Sequence, residues 1–197
     1  LDSAPYVACG ASNVEKAVLY PDLSAHRSPV SDWMRHAFLF ATRRYKAWLH
    51  TGMIKGELNG ILQFRDKEAS TLAERVNAAQ ASHLAGLKIT SSALFVRDAG
   101  WLDTRALCTF LINRPGIHFQ PNTTVYNLGS LNARVVILAN GAGVTHYPEA
   151  AHFPLDLLRG QMTAIESNAA SGALKLPICG SGHILPADNQ MHWMGAS

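Results

Sequence analysis

Apolar residues first fall into register at Val30, Trp33, Met34, Ala37, Phe38, Ala41, Tyr45 and Trp48, the i, i+3, i+4 pattern of one helix face. Ser28 supplies an N-cap, Pro29 suits the first turn and Gly52 stands just past the end, so the spacing predicts a helix between Ser28 and Gly52. Residues 56–64 read as a strand. Asp66 then opens a second predicted helix, with Ala69, Leu72, Ala73, Val76 and Ala79 as its buried stripe. Residues 89–96 are strand-like again. After Gly100, Trp101 and Leu102, Asp103 caps a short helix that runs through Asn113 and stops at Pro115 and Gly116. Short strands are predicted over 117–120, 123–128 and 135–139, and a longer one over 155–166 with Gly160 at its centre.

Before Ser28 the chain is rich in Gly, Ala, Ser and Pro without a period, which reads as a loop crossing a surface. Helices interleaved with strands make the fold α/β or α+β. There is no internal repeat and no low-complexity segment.

Composition narrows the picture. With 48% apolar and 16% charged residues over 197 positions, the chain can bury a core. The formal charge of +3 tolerates an anionic partner but does not announce a nucleic-acid binder. No apolar run approaches the ~18 residues of a membrane span, so a soluble protein is expected. Cys9, Cys108 and Cys179 are odd in number and widely spaced, which fits buried free thiols in a reducing cytoplasm. The opening from Leu1 to Pro5 has neither the basic start nor the apolar centre of a signal peptide, and the chain is expected to be a piece of a longer one.

Candidate chemistry concentrates in three segments. Residues 135–139 are wholly apolar and run into Asn140, Gly141, Ala142 and Gly143, which suits a strand buried on both faces whose small carboxyl end admits a cofactor. A hairpin turn at Asn140 and Gly141 is the other reading. Gly160 interrupts a strand-like run beside Gln161, and Gly180, Ser181, Gly182 and His183 precede Ile184, Leu185 and Pro186. Glycine at such positions lets a flat ligand approach the backbone, although a simple turn also explains the second. Zinc is not expected: Cys179, His183, His118, His146, His152 and His192 match no closed-site spacing. Gly180-Ser181-Gly182 also lacks the frame of a nucleophile elbow, and the chain has no G-x-G-x-x-G.

Taken in order, these segments resemble the FAD-dependent D-amino-acid oxidase and glycine oxidase superfamily. Within it they are most similar to the carboxy-terminal oxidoreductase domain of the MnmC branch, bifunctional bacterial enzymes that modify the tRNA wobble uridine. Gly10-Ala11-Ser12 followed by Leu19-Tyr20-Pro21 looks like the family's loop between a flavin-binding strand and the first long helix. Gly100-Trp101-Leu102, residues 136–141, Gly160-Gln161, Leu185-Pro186 and Gly195-Ala196-Ser197 resemble later family segments in the same order. Asn13 and Ala17 stand where the tRNA branch has glycines, and Ser181 and His183 where it has an Asp and an aromatic residue.

The resemblance implies a mixed, largely antiparallel substrate-domain sheet with helices, plus partial Rossmann-like pieces of an FAD domain. Residues 1–28 would be a loop crossing from that domain, 29–128 and 151–197 the two parts of the substrate domain, and 129–150 a strand and loop of the FAD domain. Gly10, Ala11, Ser12, Ala139, Asn140, Gly141, Gly160 and Gln161 would contact FAD, and Gly180, Ser181, Gly182 and His183 would position substrate. Arg35, Arg43, Arg44 and Lys46 are the local candidates for tRNA. The implied activity is oxidation of a secondary amine, removing the carboxymethyl group from 5-carboxymethylaminomethyluridine. The implied setting is cytoplasmic, with a methyltransferase domain fused in the parent chain. A small-amine oxidase, or a binding domain that has lost its flavin, are the competing expectations.

Overall fold

The computed structural model describes residues 1–21, 23, 28–64 and 72–196. Its elements in chain order are β1 (Ala17–Leu19), α1 (Pro29–His50), β2 (Gly56–Glu57), β3 (Ile61–Gln63), β4 (Glu74–Val76), α2 (Ala78–Ala85), β5 (Ala93–Val96), β6 (Gly100–Leu102), α3 (Thr104–Ile112), β7 (Gln161–Glu166), β8 (Ile178–Cys179), β9 (His183–Ile184) and β10 (Met191–Ala196). Short 3-10 turns occupy parts of the long connection between α3 and β7. This is the mixed α/β class that the sequence predicts.

Two sheets organise the described residues. A small one has the order β1-β6-β2, and a seven-stranded one the order β4-β5-β3-β8-β9-β10-β7. Every ladder is antiparallel except β3–β8, where Leu62 pairs with Ile178 and Gln63 with Cys179. That single parallel ladder joins strands from residues 61–96 to strands from residues 161–196. The large sheet buries both faces near its centre. On one face Ile61, Leu94, Val96 and Cys179 pack under Leu23 and Phe38. On the other, Leu62, Phe95, Leu174 and Leu176 pack with Ala81 and Ala85 of α2.

The helix caps follow the sequence. Ser28 and Ser31 form a reciprocal capping box at the start of α1, and Asp103 accepts from the Ala106 N–H at 2.9 Å to start α3. The face that α1 buries differs from the predicted stripe. Phe38 and Thr42 are buried, and Tyr45, Trp48 and Leu49 pack with Leu102, Leu107 and Phe110, but Val30 and Trp33 remain 70% and 67% exposed. The carboxyl half of α1 meets α3 and the small sheet.

Other predicted elements are corrected. The strand over 56–64 is two strands, because Gly60 sits at φ +119 and turns the chain between β2 and β3. The helix from Asp66 begins in residues outside those described, and of the described positions in its stripe only Ala79 is helical, in α2: Leu72 lies in a turn, Ala73 is bridged, and Val76 pairs with Ala93 in β4–β5. Here strand pairing overrides a helix-like spacing. The helix instead starts at Ala78, where Asn77 and Gln80 form a capping box, and ends on left-handed Gly86. Residues 89–92 stay outside β5, and residues 155–160 outside β7. The segments 117–120, 123–128 and 135–139 form no ladder among the described residues, and Val135 and Ile137 are 75% and 83% exposed. An extended apolar run becomes a strand only where a neighbour accepts its hydrogen bonds.

Lys16 fastens the two sheets together. It is 5% exposed, with its Nζ 4.1 Å from the Trp101 ring centre and 3.4 Å from an Asp188 carboxylate oxygen in the β9–β10 connection. Among the described residues no helix is long and apolar enough to cross a membrane.

Gly100 has no room for a side chain, since a Cβ there would lie 1.9 Å from the Glu57 carbonyl oxygen. Gly100→Ala is expected to force β2 and β6 apart and cost about 1–3 kcal/mol, read as a lowered midpoint in urea unfolding. An unchanged midpoint would refute this packing.

Candidate functional site

The β-ladders place one residue from each of six strands in a single cross-sheet row. Leu94 pairs with Gln63, Gln63 with Cys179, Cys179 with His183, His183 with Gly195, and Gly195 with Met162. Directly paired residues project from the same face, here the face that Leu23 and Phe38 cover at its centre. The row holds two polar groups that lack partners. Gln63 Oε1 and His183 Nε2 are both buried without a hydrogen bond. They are two strand spacings apart, about 10 Å.

His183 lies against its own sheet. A Cβ on Gly195 would come within 2.4 Å of His183 Cε1 and 2.5 Å of the Met162 sulfur, so the missing side chain at Gly195 is what lets the ring settle there. Half-burial of the imidazole disfavours its cation, and its pKa is lowered from the ordinary 6.5. The neutral ring is therefore the resident form at neutral pH, with one nitrogen free to give or accept a hydrogen bond.

Beside this row a cleft of about 810 Å³ opens around the turn between β8 and β9. Residues lining it include Phe64, Gln161, Thr163, Ile178, Gly180, Ser181, Gly182, His183, Ile184 and Met194. The turn is closed by the Gly180 N–H donating to the Gly182 carbonyl at 2.7 Å. Strand alternation divides this lining. Ile178, Ile184, Met194 and Thr163 pair in an adjacent row, whose side chains project from the opposite face to His183.

Five residues singled out from sequence thus meet at one cleft: Gln161, Gly180, Ser181, Gly182 and His183. Their side chains do not all share a face, because Gln161 pairs with Ala196, one position out of step with the Met162–Gly195–His183 row. Gly160 is exposed, and a Cβ there would meet nothing within 4 Å.

The remaining sequence candidates lie elsewhere. Gly10, Ala11 and Ser12 form an exposed turn, and the Ser12 carbonyl accepts from Thr104 Oγ1 at 2.9 Å at the start of α3. Ala139, Asn140 and Gly141 are exposed and do not line the cleft. On α1, Lys46 is paired with Asp98, Arg35 is half-buried and engaged, and Arg43 and Arg44 are exposed. Arg44 stacks over the Phe40 ring at 5.2 Å.

Gln63, which does not itself line the cleft, is the polar residue of this row that sequence reasoning missed. It sits in an ordinary strand pattern, and its significance comes from being 2% exposed with an unpaired acceptor in the His183 row. No local signal marks it, since the parallel partner lies more than a hundred residues downstream. His192 is a structural histidine by contrast. Fully buried, its Nδ1–H donates to the Leu185 carbonyl at 2.8 Å, and its Nε2 accepts from Ser171 Oγ at 3.0 Å.

Comparison with known proteins gives a consistent answer. The family model described as DAO, FAD dependent oxidoreductase, matches residues 1–197. The chain is 35% identical to the tRNA 5-methylaminomethyl-2-thiouridine biosynthesis bifunctional protein MnmC of Legionella pneumophila, covering 100% of this chain and 33% of that protein. It is 33% identical to the protein of the same name from Stutzerimonas stutzeri, covering 92% and 31%. The chain therefore spans about a third of the length of the curated relatives it matches. Among solved structures, glycine oxidase from Geobacillus kaustophilus superposes with a TM-score of 0.71 at 15% identity, over 100% of this chain and 63% of that one. Iminodiacetate oxidase from Chelativorans sp. BNC1 gives 0.64 at 16%, over 95% and 62%. These two likenesses bear on the fold. With the family model matching from the first residue to the last, the chain belongs to the FAD-dependent oxidoreductase family typified by D-amino-acid oxidase.

Proposed function

We propose that this chain is the substrate-side part of an FAD-dependent amine oxidoreductase that acts on the tRNA wobble uridine. In this reading two electrons pass from the secondary amine of 5-carboxymethylaminomethyluridine to the flavin, and water hydrolyses the resulting imine, so that the carboxymethyl group leaves as a two-carbon oxoacid and the aminomethyl group remains. The observation that carries the reading is the row with two unpaired buried polar groups, Gln63 and His183, in a chain that is 35% identical over its whole length to a protein named for tRNA thiouridine biosynthesis. A buried polar group without a partner costs about 1–3 kcal/mol, which a ligand supplying the missing hydrogen bond recovers.

The residues present fit a flat ligand with a polar edge. The glycines of the β8–β9 turn leave backbone exposed to a neighbour at the cleft, beside the His183 end of the row. When bound, the flavin supplies the two-electron oxidising chemistry. His183 in its neutral form gives or accepts one hydrogen bond to the ligand and leaves the substrate amine uncharged. Gly180, Ser181 and Gly182 shape the substrate side, while Gln161 lies at the rim at the start of the edge strand β7, with Gly160 just before it. Burial of the row excludes the water that would compete for these contacts.

In the same reading residues 1–28 cross from an FAD domain, 29–128 and 151–197 form the substrate domain, and 129–150 belong to the FAD domain. The exposed apolar run at Val135 and Ile137 suits a strand whose neighbours lie in the longer protein. Gly10, Ala11, Ser12, Ala139, Asn140 and Gly141 are then the flavin contacts nearest that domain. A cytoplasmic location and a fused methyltransferase domain belong to this reading as well. The second reading, oxidation of a small free amine, is favoured by the likeness in fold to glycine oxidase.

The two separate in one experiment on the purified full-length protein. Anaerobic bleaching of the bound flavin by tRNA bearing the carboxymethylaminomethyl group, but not by glycine, is the expected result. Bleaching by glycine alone would replace the tRNA reading, and a protein that carries no flavin would favour a binding domain.

Gln63→Leu tests the row itself. Removing an unsatisfied acceptor should leave the flavin-free protein as stable or about 1 kcal/mol more stable, while weakening flavin or substrate binding by roughly tenfold. Equal binding by variant and wild type would take Gln63 out of the site.

A pH dependence follows from His183. Because burial lowers its pKa below the ordinary 6.5, the ring is mostly neutral at neutral pH, and substrate affinity should fall toward acid with a midpoint below 6.5, as the ring protonates. A His183→Phe variant should lose affinity and also lose this acid limb. An acid limb with its midpoint above 6.5 in the wild type would contradict the burial of the ring.

A further inference from the structure

Helix α1 leaves one continuous stripe uncovered. Trp33, Ala37, Phe40, Arg44 and Ala47 follow one another at spacings of four, three, four and three, which places them on a single line along the helix surface. Trp33 and Phe40 are 67% and 64% exposed, although large aromatic side chains normally bury most of their surface. Arg44 lies over the Phe40 ring at 5.2 Å, and Arg43 is exposed beside it. The predicted apolar stripe and the predicted basic face therefore meet along a line that the described residues leave largely exposed, with Ala37 partly buried.

Charge singles out the same helix. α1 carries four Arg and Lys residues against one carboxylate, Asp32, an excess equal to the +3 of the entire chain. Lys46 is spent on Asp98 and Arg35 is half-buried and engaged, so the cations presented outward are Arg43 and Arg44, next to the exposed rings. The stripe itself contains no acid.

We propose that Trp33, Phe40 and Arg44, with Arg43, form a docking surface for unpaired nucleotides of an RNA substrate, the rings and the guanidinium plane stacking on bases and the arginines meeting phosphates. The inference rests on the tRNA reading above and assigns that partner a place on the chain. Rings alternating with guanidinium groups on one line are what single-stranded RNA recognition uses, because every base offers a π-face and every nucleotide a charge. An apolar protein partner would be served by the rings but not by the paired arginines, whose desolvation it would leave uncompensated. The rise of 1.5 Å per residue puts Trp33 and Phe40 about 10 Å apart, which suits splayed bases instead of a continuous stack. The surface is separate from the cleft at β8 and β9, so it would act in holding the RNA and not in the oxidation.

The test is tRNA binding by the full-length protein, measured against salt for wild type, Trp33→Ala and Arg43→Glu/Arg44→Glu. Trp33→Ala should weaken binding by about five- to hundredfold with an unchanged salt slope, because stacking releases no counterions. The double reversal should lower the slope of log affinity against log salt by about 1.4, the value for two lost single-strand phosphate contacts. Wild-type binding that neither variant alters overturns this surface while leaving the tRNA reading intact. A wild type that binds no tRNA overturns both. Acrylamide quenching, taken as the difference between wild type and Trp33→Phe, supplies the second measurement. Trp33 should be open to quencher in the free protein and shielded when tRNA is added. Shielding already present without tRNA would show that another part of the protein covers the stripe, and would overturn the proposal.

Discussion

The seven-stranded sheet exists as one body because of a single parallel ladder, β3 against β8. The Leu62 N–H donates to the Pro177 carbonyl at 3.0 Å, and the Phe64 N–H donates to the Cys179 carbonyl at 2.7 Å. These bonds join two meanders that are far apart in sequence, β4-β5-β3 on one side and β8-β9-β10-β7 on the other. Both faces depend on the join. Ile61 and Cys179 share one core and Leu62 and Leu176 share the other only while the register across β3–β8 holds. A slip of one residue would exchange the faces and bring apolar side chains out where polar ones now stand.

The same register creates the site. Gln63 and His183 belong to different meanders, and the join puts them in line with Cys179 between them. The surrounding core then removes water from Gln63, and Gly195 lets the His183 ring lie against the sheet. Desolvation leaves an amide oxygen and an imidazole nitrogen unpaired, and the same desolvation holds the imidazole neutral. A close-packed sheet centre thus carries polar groups that stability alone would not retain.

Helix α1 divides along its length for a related reason. Its carboxyl half has neighbours in α3 and the small sheet, where Trp48 meets Phe110 edge-on at 5.0 Å between ring centres. Its amino half buries Phe38, while Val30, Trp33 and Met34 of that apolar face stay exposed. Lys16, clasped between Trp101 and Asp188, ties the small sheet to the far end of the large one, so the helix and the His183 row are parts of one framework.

By itself the sequence determined whatever depends on nearby residues. The caps at Ser28 and Asp103, the end of α1 before Gly52, the α3 span and the mixed α/β class were legible because capping and helical periodicity act over three or four positions. Gly180 and Gly182 were legible as a turn, and the structure places them at one cleft with Gln161 and His183, which the sequence also singles out. Only the tertiary structure decided the rest. It turned the helix-like spacing of Ala73 and Val76 into strand pairing, left the run at residues 135–139 unpaired, left the amino-terminal part of the α1 stripe exposed and put Gln161 and His183 on opposite faces. It also brought Gln63 into the row. Each of these outcomes rests on which distant strand lies alongside and in what register, and a period-two pattern contains no record of its partner.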